Sequence, residues 1–178
     1  MSERILIGVA WPYANGHLHM GHLAACYLAA DIFARYHRLK GDQVLMVSGS
    51  DQHGTPITLR AEQEGVSPQE VVSRYHESFL QSWERLGITF DLFTTTGTEN
   101  HRATAHDIFR VLQDKGYIYT DTTALPYCHT CRRFQPDRYL KGTCPHCGNL
   151  DARGDQCDNC GKPLNPEDLI DIVCRISL

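Results

Sequence analysis

The sequence predicts an α/β fold built on a parallel sheet, followed by a small cysteine-rich module. Short apolar, β-branched runs alternate with segments of helical periodicity over the first two thirds of the chain, an order typical of βαβ units. The periodicity then ends, and seven of the eight cysteines lie at or after Cys128. The chain therefore divides into an α/β part and a module that is too poor in apolar residues to hold a core without metal.

One βαβ unit is predicted over residues 5–47. Ile5–Val9 is a short apolar run bounded by a turn, which predicts a buried parallel strand. Apolar residues recur at helical spacing over Leu23–Leu39, and Gly41 ends that helix. Val44–Val47 is the second buried strand. Because ligands bind at the carboxyl ends of the strands in such sheets, the polar loop after each strand is a candidate site.

The later elements follow from capping and turn residues. Ser67-Pro68-Gln69-Glu70 is a capping box with proline at the first helical position, which starts a helix. Helices are predicted over 56–64, 67–86 and 98–115, and strands over 90–95 and 117–125. At Pro126 the composition shifts to Cys, Gly, Pro and Asp, which places a domain boundary between residues 1–125 and 126–178.

The composition restricts the class of protein. Hydrophobic residues make up 42% and charged residues 21% of the 178 residues, which is typical of a soluble globular chain. No apolar run reaches the length of a membrane span, and Met1–Arg4 lacks a secretory signal, so we expect a cytoplasmic protein with no membrane partner. The formal net charge of −4 argues against a protein that coats nucleic acid with a basic face, although a local patch stays open.

The loop Trp11–His22 carries the first residues with chemical meaning. His19, Gly21 and His22 lie where a helix begins, and the free N–H groups of a helix start favour phosphate. The two imidazoles can donate to phosphate oxygens, and Gly21 lets a flat base or a phosphate approach the backbone. Asp51 leaves the second strand nearby and can hold an ammonium group. The alternative is a set of ordinary loop histidines, since no G-x-G-x-x-G or Walker pattern is present.

The cysteine spacing predicts a structural zinc site. The inner cysteines form two Cys-x-x-Cys turns, each followed by a glycine that permits a tight turn: Cys144, Cys147, Cys157 and Cys160. Four thiolates in this arrangement give a closed tetrahedral site, which is structural rather than catalytic. Free reduced cysteines and a redox pair are the alternatives, and the redox role lacks the strand and helix that normally flank such a pair.

The outer cysteines are candidate ligands for a second metal ion, but they form an incomplete set. Cys128 and Cys131 have one candidate partner, Cys174-Arg-Ile-Ser177, where a serine stands in place of a fourth cysteine. A second zinc site would therefore have three thiolates, Cys128, Cys131 and Cys174, with His129 as a guess for the fourth ligand.

Three motifs resemble those of a known family. "PYANGHLHMGH", with its core His19-Met20-Gly21-His22, resembles the first signature of class I aminoacyl-tRNA synthetases. Together with "SGSDQHGTPI" and "FQPDRYLKGTCPHC", it resembles the methionyl-tRNA synthetases in particular, over essentially the whole chain. Enzymes for isoleucine, valine and leucine share a similar first motif but carry a Trp-Asp-Cys-His-Gly-like second loop. Another class I synthetase, of the isoleucine, valine, leucine or cysteine type, stays an alternative.

The resemblance implies an ATP-dependent reaction. Methionine's carboxylate attacks the α-phosphate of ATP, and the methionyl group of the adenylate then passes to tRNA(Met). By this resemblance His19 and His22 are catalytic through contacts to the ATP phosphates, and Gly21 gives the adenine room. ATP enters as a substrate with Mg²⁺, and zinc is the structural cofactor.

The resemblance also implies a methionine pocket. Its residues match family positions that line the amino acid: Ala10, Trp11, Tyr13 and Asp51. Asp51 matches the carboxylate that binds the ammonium group, and the aromatic faces of Trp11 and Tyr13 suit a thioether. The family commonly has a leucine at the position of Trp11.

The family's architecture implies that this chain is an incomplete N-terminal portion. Residues 1–125 correspond to the first half of a doubly wound, Rossmann-type nucleotide-binding domain, and residues 126–178 to a zinc-knuckle connective insertion. The Lys-Met-Ser-Lys-Ser loop and the anticodon-binding helices are missing from the sequence. The insertion helps to position the tRNA acceptor end in the family, and a local basic patch fits that role: Arg132, Arg133, Arg138 and Lys141. A solvated charge run and a non-catalytic zinc-binding fragment are the alternatives.

Overall fold

The computed structural model describes residues 2–177, which form a parallel α/β part followed by a module of short antiparallel strands. The α/β part contains, in chain order, β1 (Arg4–Gly8), α1 (Met20–His22), α2 (Leu28–Lys40), β2 (Gln43–Ser50), α3 (Thr55–Glu64), α4 (Pro68–Leu86), β3 (Leu92–Thr95) and α5 (Glu99–Asp114). The module contains β4 (Tyr127–Cys128), β5 (Arg133–Phe134), β6 (Leu140–Thr143), β7 (Ala152–Arg153) and β8 (Ile170–Cys174).

The central sheet has the order β1-β2-β3, and both strand pairs are parallel. Ile5 faces Val44 and Ile7 faces Met46 across the first pair, and Ser50 faces Thr95 across the second. The predicted α/β fold is therefore confirmed. Because all three strands are parallel, their carboxyl ends and the loops that follow them lie at the same edge of the sheet.

The helix after the first loop begins earlier than its periodicity predicts. Helical structure starts at Met20, passes through a π-helical turn over Leu23–Tyr27, and continues as α2 to the left-handed cap at Gly41. Single π turns commonly occur near functional sites, and this one lies directly after the His19–His22 turn. The Tyr27 ring ends the π turn, is 2% exposed and packs 4.6 Å from the Trp83 ring.

The strand predicted over 117–125 is wrong. The chain from 117 to 126 is irregular and, apart from half-buried residues at 118 and 126, exposed; Tyr119 is 80% exposed. Alternating apolar residues form a strand only where a neighbouring strand supplies hydrogen-bond partners. No strand among residues 2–177 pairs with this segment.

Two hydrophobic clusters lie on either side of residue 126. The first packs α4 against the sheet through Val71, Phe79 and Trp83. The second lies inside the module and combines Leu140 and Leu164 with buried cysteines. Each part of the chain thus has its own buried core among the described residues.

A polar clasp ties the module to α3. The Arg133 guanidinium donates to both carboxylate oxygens of Glu62, at 3.0 and 2.5 Å. The Tyr139 hydroxyl lies 2.9 Å from Thr58 Oγ1 and 3.2 Å from Glu62 Oε1, and the Arg133 guanidinium stacks 5.0 Å from the Tyr139 ring. The module is therefore fixed to the helix that follows the second loop.

One helix of the α/β part is largely uncovered. None of the residues of α5 is buried, and its apolar residues Ile108, Phe109 and Val111 are between 46% and 56% exposed. Within residues 2–177, no helix combines the length and hydropathy that a bilayer crossing requires.

A buried carboxylate closes the turn between α2 and β2. Asp42 accepts a hydrogen bond from the Glu3 N–H (3.0 Å) through Oδ1, and its Oδ2 contacts His37 Nδ1 (2.8 Å) and Lys40 Nζ (3.5 Å). The Glu3 N–H, followed by the His37 ring, lowers the pKa of Asp42. The carboxylate thus joins the start of β1 to the end of α2.

We expect Asp42→Asn to lower the free energy of unfolding at pH 7. The Asp42 pKa is lowered in the folded state, so its contribution is present above the unfolded pKa of about 3.9 and is lost as the pH falls through the folded pKa. Urea unfolding of both proteins between pH 3 and pH 7 measures the difference, with Asp107→Asn on α5 as control. A difference that persists undiminished at the lowest pH would contradict the assignment.

Candidate active site and metal centre

Backbone hydrogen bonds join the first and second loops into one surface. The pairing of β1 with β2 continues past the strand ends, because Asp51 N–H donates to Pro12 O (2.8 Å) and Ala14 N–H donates to Asp51 O (2.9 Å). Tyr13 and Asp51 form an isolated parallel bridge. Two residues from separate loops are therefore brought side by side.

Buried side chains fix the start of the first loop. The carbonyl oxygen of Ala10 accepts from the Tyr27 hydroxyl (3.2 Å) and from the Ser48 hydroxyl (3.3 Å), which also lies 3.1 Å from the Val9 carbonyl. Burial, with a smaller contribution from Cys26, raises the pKa of Tyr27 to about 12. The phenol therefore stays protonated and remains a donor to Ala10.

The Trp11 indole lies over the second strand. A Cβ built on Gly49 would come within 2.6 Å of Trp11 Cζ3 and of the Thr94 carbonyl oxygen, so only glycine leaves room for the ring and the neighbouring strand. The Trp11 and His101 ring centroids are 6.3 Å apart, and the indole is 39% exposed. The Trp11 ring thus lies between β2 and the first turn of α5.

The imidazole rings of the two signature histidines accept hydrogen bonds from backbone N–H groups at the start of the helix. His19 Nδ1 accepts from the Gly21 N–H (3.1 Å) and the His22 N–H (3.4 Å), while His22 Nδ1 accepts from the His19 N–H (3.4 Å). Their rings stack with centroids 3.7 Å apart. Because each Nδ1 is an acceptor, each neutral ring carries its proton on Nε2, where it is an outward-facing donor.

Gly21 lies beneath the His19 ring. A Cβ at this position would come within 3.0 Å of His19 Cε1 and Nδ1. The glycine therefore allows the histidine cap to form, in addition to any room that it leaves for a ligand.

The Asp51 carboxylate is held through one of its oxygens. Asp51 Oδ1 accepts from the His53 N–H (3.1 Å) and from the Thr96 hydroxyl (3.4 Å). Thr96 belongs to the loop after β3, so three loops contribute to this point of the surface. The carboxylate is half-buried, which leaves it accessible to a ligand.

Sequence reasoning missed the residues that support this surface: Tyr27, Ser48, Gly49 and Thr96. Tyr27 and Thr96 lie outside the quoted motifs, Ser48 and Gly49 open the motif "SGSDQHGTPI" without a role that the pattern indicates, and the contacts of all four join parts of the chain that are far apart in sequence. The rule that ligands bind at carboxyl ends of parallel strands points to the loop after the third strand, which contains Thr96.

The inner cysteines form a compact sulfur cluster. The four Sγ atoms lie within 4.8 Å of one another, with Cys144–Cys160 at 3.9 Å and Cys147–Cys157 at 3.6 Å. A tetrahedral zinc with Zn–S bonds of about 2.3 Å requires sulfurs about 3.8 Å apart, so the donor set fits zinc.

Hydrogen-bond donors around the inner cluster favour the thiolate form at two of its four cysteines. The Cys160 N–H, and then the Asn149 amide, lower the pKa of Cys157 to about 6, and the Asn159 amide lowers the pKa of Cys147. Gly148 and Gly161 follow the second cysteine of each turn with φ of 73° and 71°, a left-handed conformation that favours glycine.

The outer cysteines form an incomplete set. The Sγ atoms of Cys128, Cys131 and Cys174 lie within 4.8 Å of one another, and Cys131 is 3.7 Å from Cys174. The Ser177 hydroxyl lies 3.4 Å from Cys128 Sγ, so the serine occupies the fourth corner. His129 does not belong to this group; its ring packs 5.3 Å from the Tyr127 ring.

Three residues of the basic patch are in ion pairs. Arg133 pairs with Glu62, Arg138 with Asp155, and Lys141 with Asp151. These carboxylates reduce the net positive charge of the patch within the described structure.

The comparisons with known proteins agree on one family. The sequence model described as "tRNA synthetases class I (M)" matches residues 5–178. The methionine–tRNA ligase of Dehalococcoides mccartyi strain BAV1 is 64% identical over 170 residues, covering 96% of this chain and 31% of the relative. The methionine–tRNA ligase of Thermomicrobium roseum is 61% identical over 176 residues, covering 99% of this chain and 30% of the relative.

A solved structure has the same fold. The Mycobacterium tuberculosis methionyl-tRNA synthetase in complex with methionyl-adenylate superposes with a TM-score of 0.69 and 27% identity, covering 90% of this chain and 30% of that chain. The chain thus spans about a third of the length of the relatives that it matches.

We expect His22 to titrate below the usual pKa of about 6.5, and the neutral form of each signature histidine to carry its proton on Nε2. Burial, and then the neighbouring charge of His19, lower the pKa of His22. ¹⁵N spectra of histidine-labelled protein over a pH series measure both properties. His19→Asn keeps a helix cap but removes the charge, so the pKa of His22 should rise in that variant. An unchanged pKa in the variant would contradict the coupling.

Proposed function

This chain belongs to the class I tRNA synthetases of the methionine group, and from that premise we propose that the protein containing it is a methionine–tRNA ligase. In the proposed reaction the methionine carboxylate attacks the α-phosphate of ATP, giving methionyl-adenylate and releasing pyrophosphate. The methionyl group then passes to the terminal adenosine of tRNA(Met), which releases AMP. Mg²⁺ accompanies the ATP phosphates.

The observation that carries this proposal is the joining of the first and second loops. It brings the backbone of Asp51 beside that of Tyr13, and Trp11 lies two residues before Tyr13 on the first loop. A carboxylate next to aromatic surface suits an amino acid with an ammonium group and a thioether side chain. We assign methionine binding to Ala10, Trp11, Tyr13 and Asp51.

The histidine turn supports a nucleotide next to this pocket. His19 and His22 present Nε2–H donors at the start of a helix, where charge growing on phosphate oxygens is stabilised. Attack at phosphorus requires positioning and charge stabilisation rather than a protein nucleophile. We assign the phosphate contacts, and with them the catalytic role, to His19 and His22, and close approach of the nucleotide to Gly21.

The module is proposed to bind zinc for structure. The inner sulfurs have the spacing of a tetrahedral metal site, and zinc would hold the two turns together where apolar residues are few. The three outer thiols and Ser177 leave a second zinc open. Family membership, rather than the surface charge of the module, supports tRNA as the acceptor.

We expect the full-length gene product to catalyse pyrophosphate exchange that depends on methionine. His22→Asn should lower kcat by about 10²–10³-fold because it removes a donor to transition-state charge. His106→Asn, on the exposed helix α5, is the matched control and should behave as wild type. Exchange that depends on isoleucine, leucine, valine or cysteine instead of methionine would refute the assignment, and binding of tRNA without ATP or methionine would favour a non-catalytic protein.

Metal analysis tests the cysteine proposal. We expect about one zinc per chain, retained in Cys174→Ser and lost in Cys157→Ser, because only the inner set has four thiolates. Mass spectrometry of the purified proteins measures the zinc content, with Cys26→Ser as control. About two zinc ions per chain would assign the outer set as well, and metal-free protein would refute both.

A further inference from the structure

Thr96, the first residue after β3, contacts four successive residues, which are Ser50 at the end of β2 and Asp51, Gln52 and His53 in the second loop. Its N–H donates to the Ser50 carbonyl oxygen (3.1 Å), and its own carbonyl oxygen lies 3.2 Å from His53 Nε2. Its hydroxyl accepts from the Gln52 N–H (2.8 Å) and donates to Asp51 Oδ1 (3.4 Å). One residue from the third strand's loop therefore holds the whole turn that presents Asp51.

The hydroxyl is the part of Thr96 that another side chain cannot replace. The two main-chain bonds are available to any residue with this backbone conformation. The hydroxyl oxygen, by contrast, accepts one hydrogen bond and donates another, which only serine or threonine does at this size. Without it, the Gln52 N–H has lost its acceptor and the Asp51 carboxylate one of its two donors.

These contacts set the orientation of the carboxylate. Both hydrogen bonds that the described residues make to it, from the His53 N–H and the Thr96 hydroxyl, fall on Oδ1. Two donors on one oxygen restrict rotation of the carboxylate and direct Oδ2 away from the loop. An ammonium group can then bind at Oδ2 without breaking the contacts that position the side chain.

The His53 ring is oriented by the same residue. A carbonyl oxygen can only accept, so the contact to Thr96 O puts the proton on His53 Nε2 and leaves Nδ1 as an acceptor. The side chains on both sides of Gln52 are thus fixed by one residue from another loop.

We propose that Thr96 is a positioning residue for the amino-acid substrate, whose hydroxyl holds the Asp51 carboxylate in the orientation that accepts a primary ammonium group. The proposal rests on the assignment of Asp51 to methionine binding. It adds a residue of the third loop to a site otherwise built from the first two. Thr96 itself contacts no reacting atom.

Kinetics of three variants of the full-length gene product test the proposal. Thr96→Val keeps the shape but removes the hydroxyl, and should raise the KM for methionine about tenfold while kcat and the KM for ATP stay within about twofold. Thr96→Ser should restore wild-type values. Thr95→Val is the matched control, because the Thr95 hydroxyl accepts from the Gly97 N–H (3.1 Å) and makes no hydrogen bond to residues 50–53 of the described structure.

A second measurement separates this proposal from the assigned function. Hydrogen–deuterium exchange of peptides covering residues 50–54 should be faster in Thr96→Val and unchanged in Thr96→Ser and Thr95→Val. Unchanged exchange in Thr96→Val, equal effects on both substrates, or the same KM change in Thr95→Val would overturn the proposal. Wild-type protein without methionine-dependent pyrophosphate exchange would instead refute the assigned function. In that case the hydrogen–deuterium exchange rates would still decide whether Thr96 holds the turn at residues 50–54.

Discussion

Two backbone hydrogen bonds between neighbouring loops hold the candidate site together. Asp51 donates to Pro12 O and accepts from the Ala14 N–H, so the parallel pairing of the strands extends beyond their ends. A carboxylate on one loop and aromatic rings on the other are thereby fixed at a distance that neither loop could set alone. Tyr27, Ser48 and Thr96 add side-chain bonds around the same point. The arrangement of the candidate site therefore depends on the register between β1 and β2, because a slip of one residue would turn the side chains of a strand to the opposite face of the sheet.

The proposed phosphate-binding side of the site is organised differently, because its hydrogen bonds join residues that are close together in the sequence. His19 caps the helix through a ring nitrogen, a task that usually falls to serine, threonine, aspartate or asparagine. A cap of that kind would satisfy the backbone N–H groups, but its side chain is too short to present a donor as far from the helix. An imidazole does both at once, since one nitrogen accepts from the helix while the other carries a proton toward solvent. His22 has the same arrangement one turn later, because its Nδ1 accepts from the His19 N–H and its ring stacks on the His19 ring. The proximity of the two rings makes a second positive charge on the pair unfavourable.

The sequence predicted those features that depend on neighbouring residues. The runs at Ile5–Val9 and Val44–Val47, the capping box at Ser67 and the cysteine spacing are all local patterns, and the structure places strands, a helix start and sulfur clusters there. Features that depend on distant partners were not predicted. The segment 117–125 has a strand-like pattern but no strand to pair with, and Tyr27 acts on Ala10 through a hydrogen bond that periodicity cannot reveal. Thr96 is one of three successive threonines, and only the fold distinguishes it from the other two.

The polar clasp between Arg133, Tyr139 and Glu62 restricts how the cysteine-rich module can be transferred from one homologue to another in a chimera. Residues 126–177 have a core of their own, which favours transfer of the module between homologues at the predicted boundary near Pro126. However, its polar partners Thr58 and Glu62 lie on α3, more than sixty residues earlier in the sequence. A chimera that moves this module into a homologue without these two partners would leave a guanidinium and a phenol without acceptors beside the helix that follows the second loop. The residues that must be transferred together are therefore discontinuous in sequence, because they comprise the module and one face of α3.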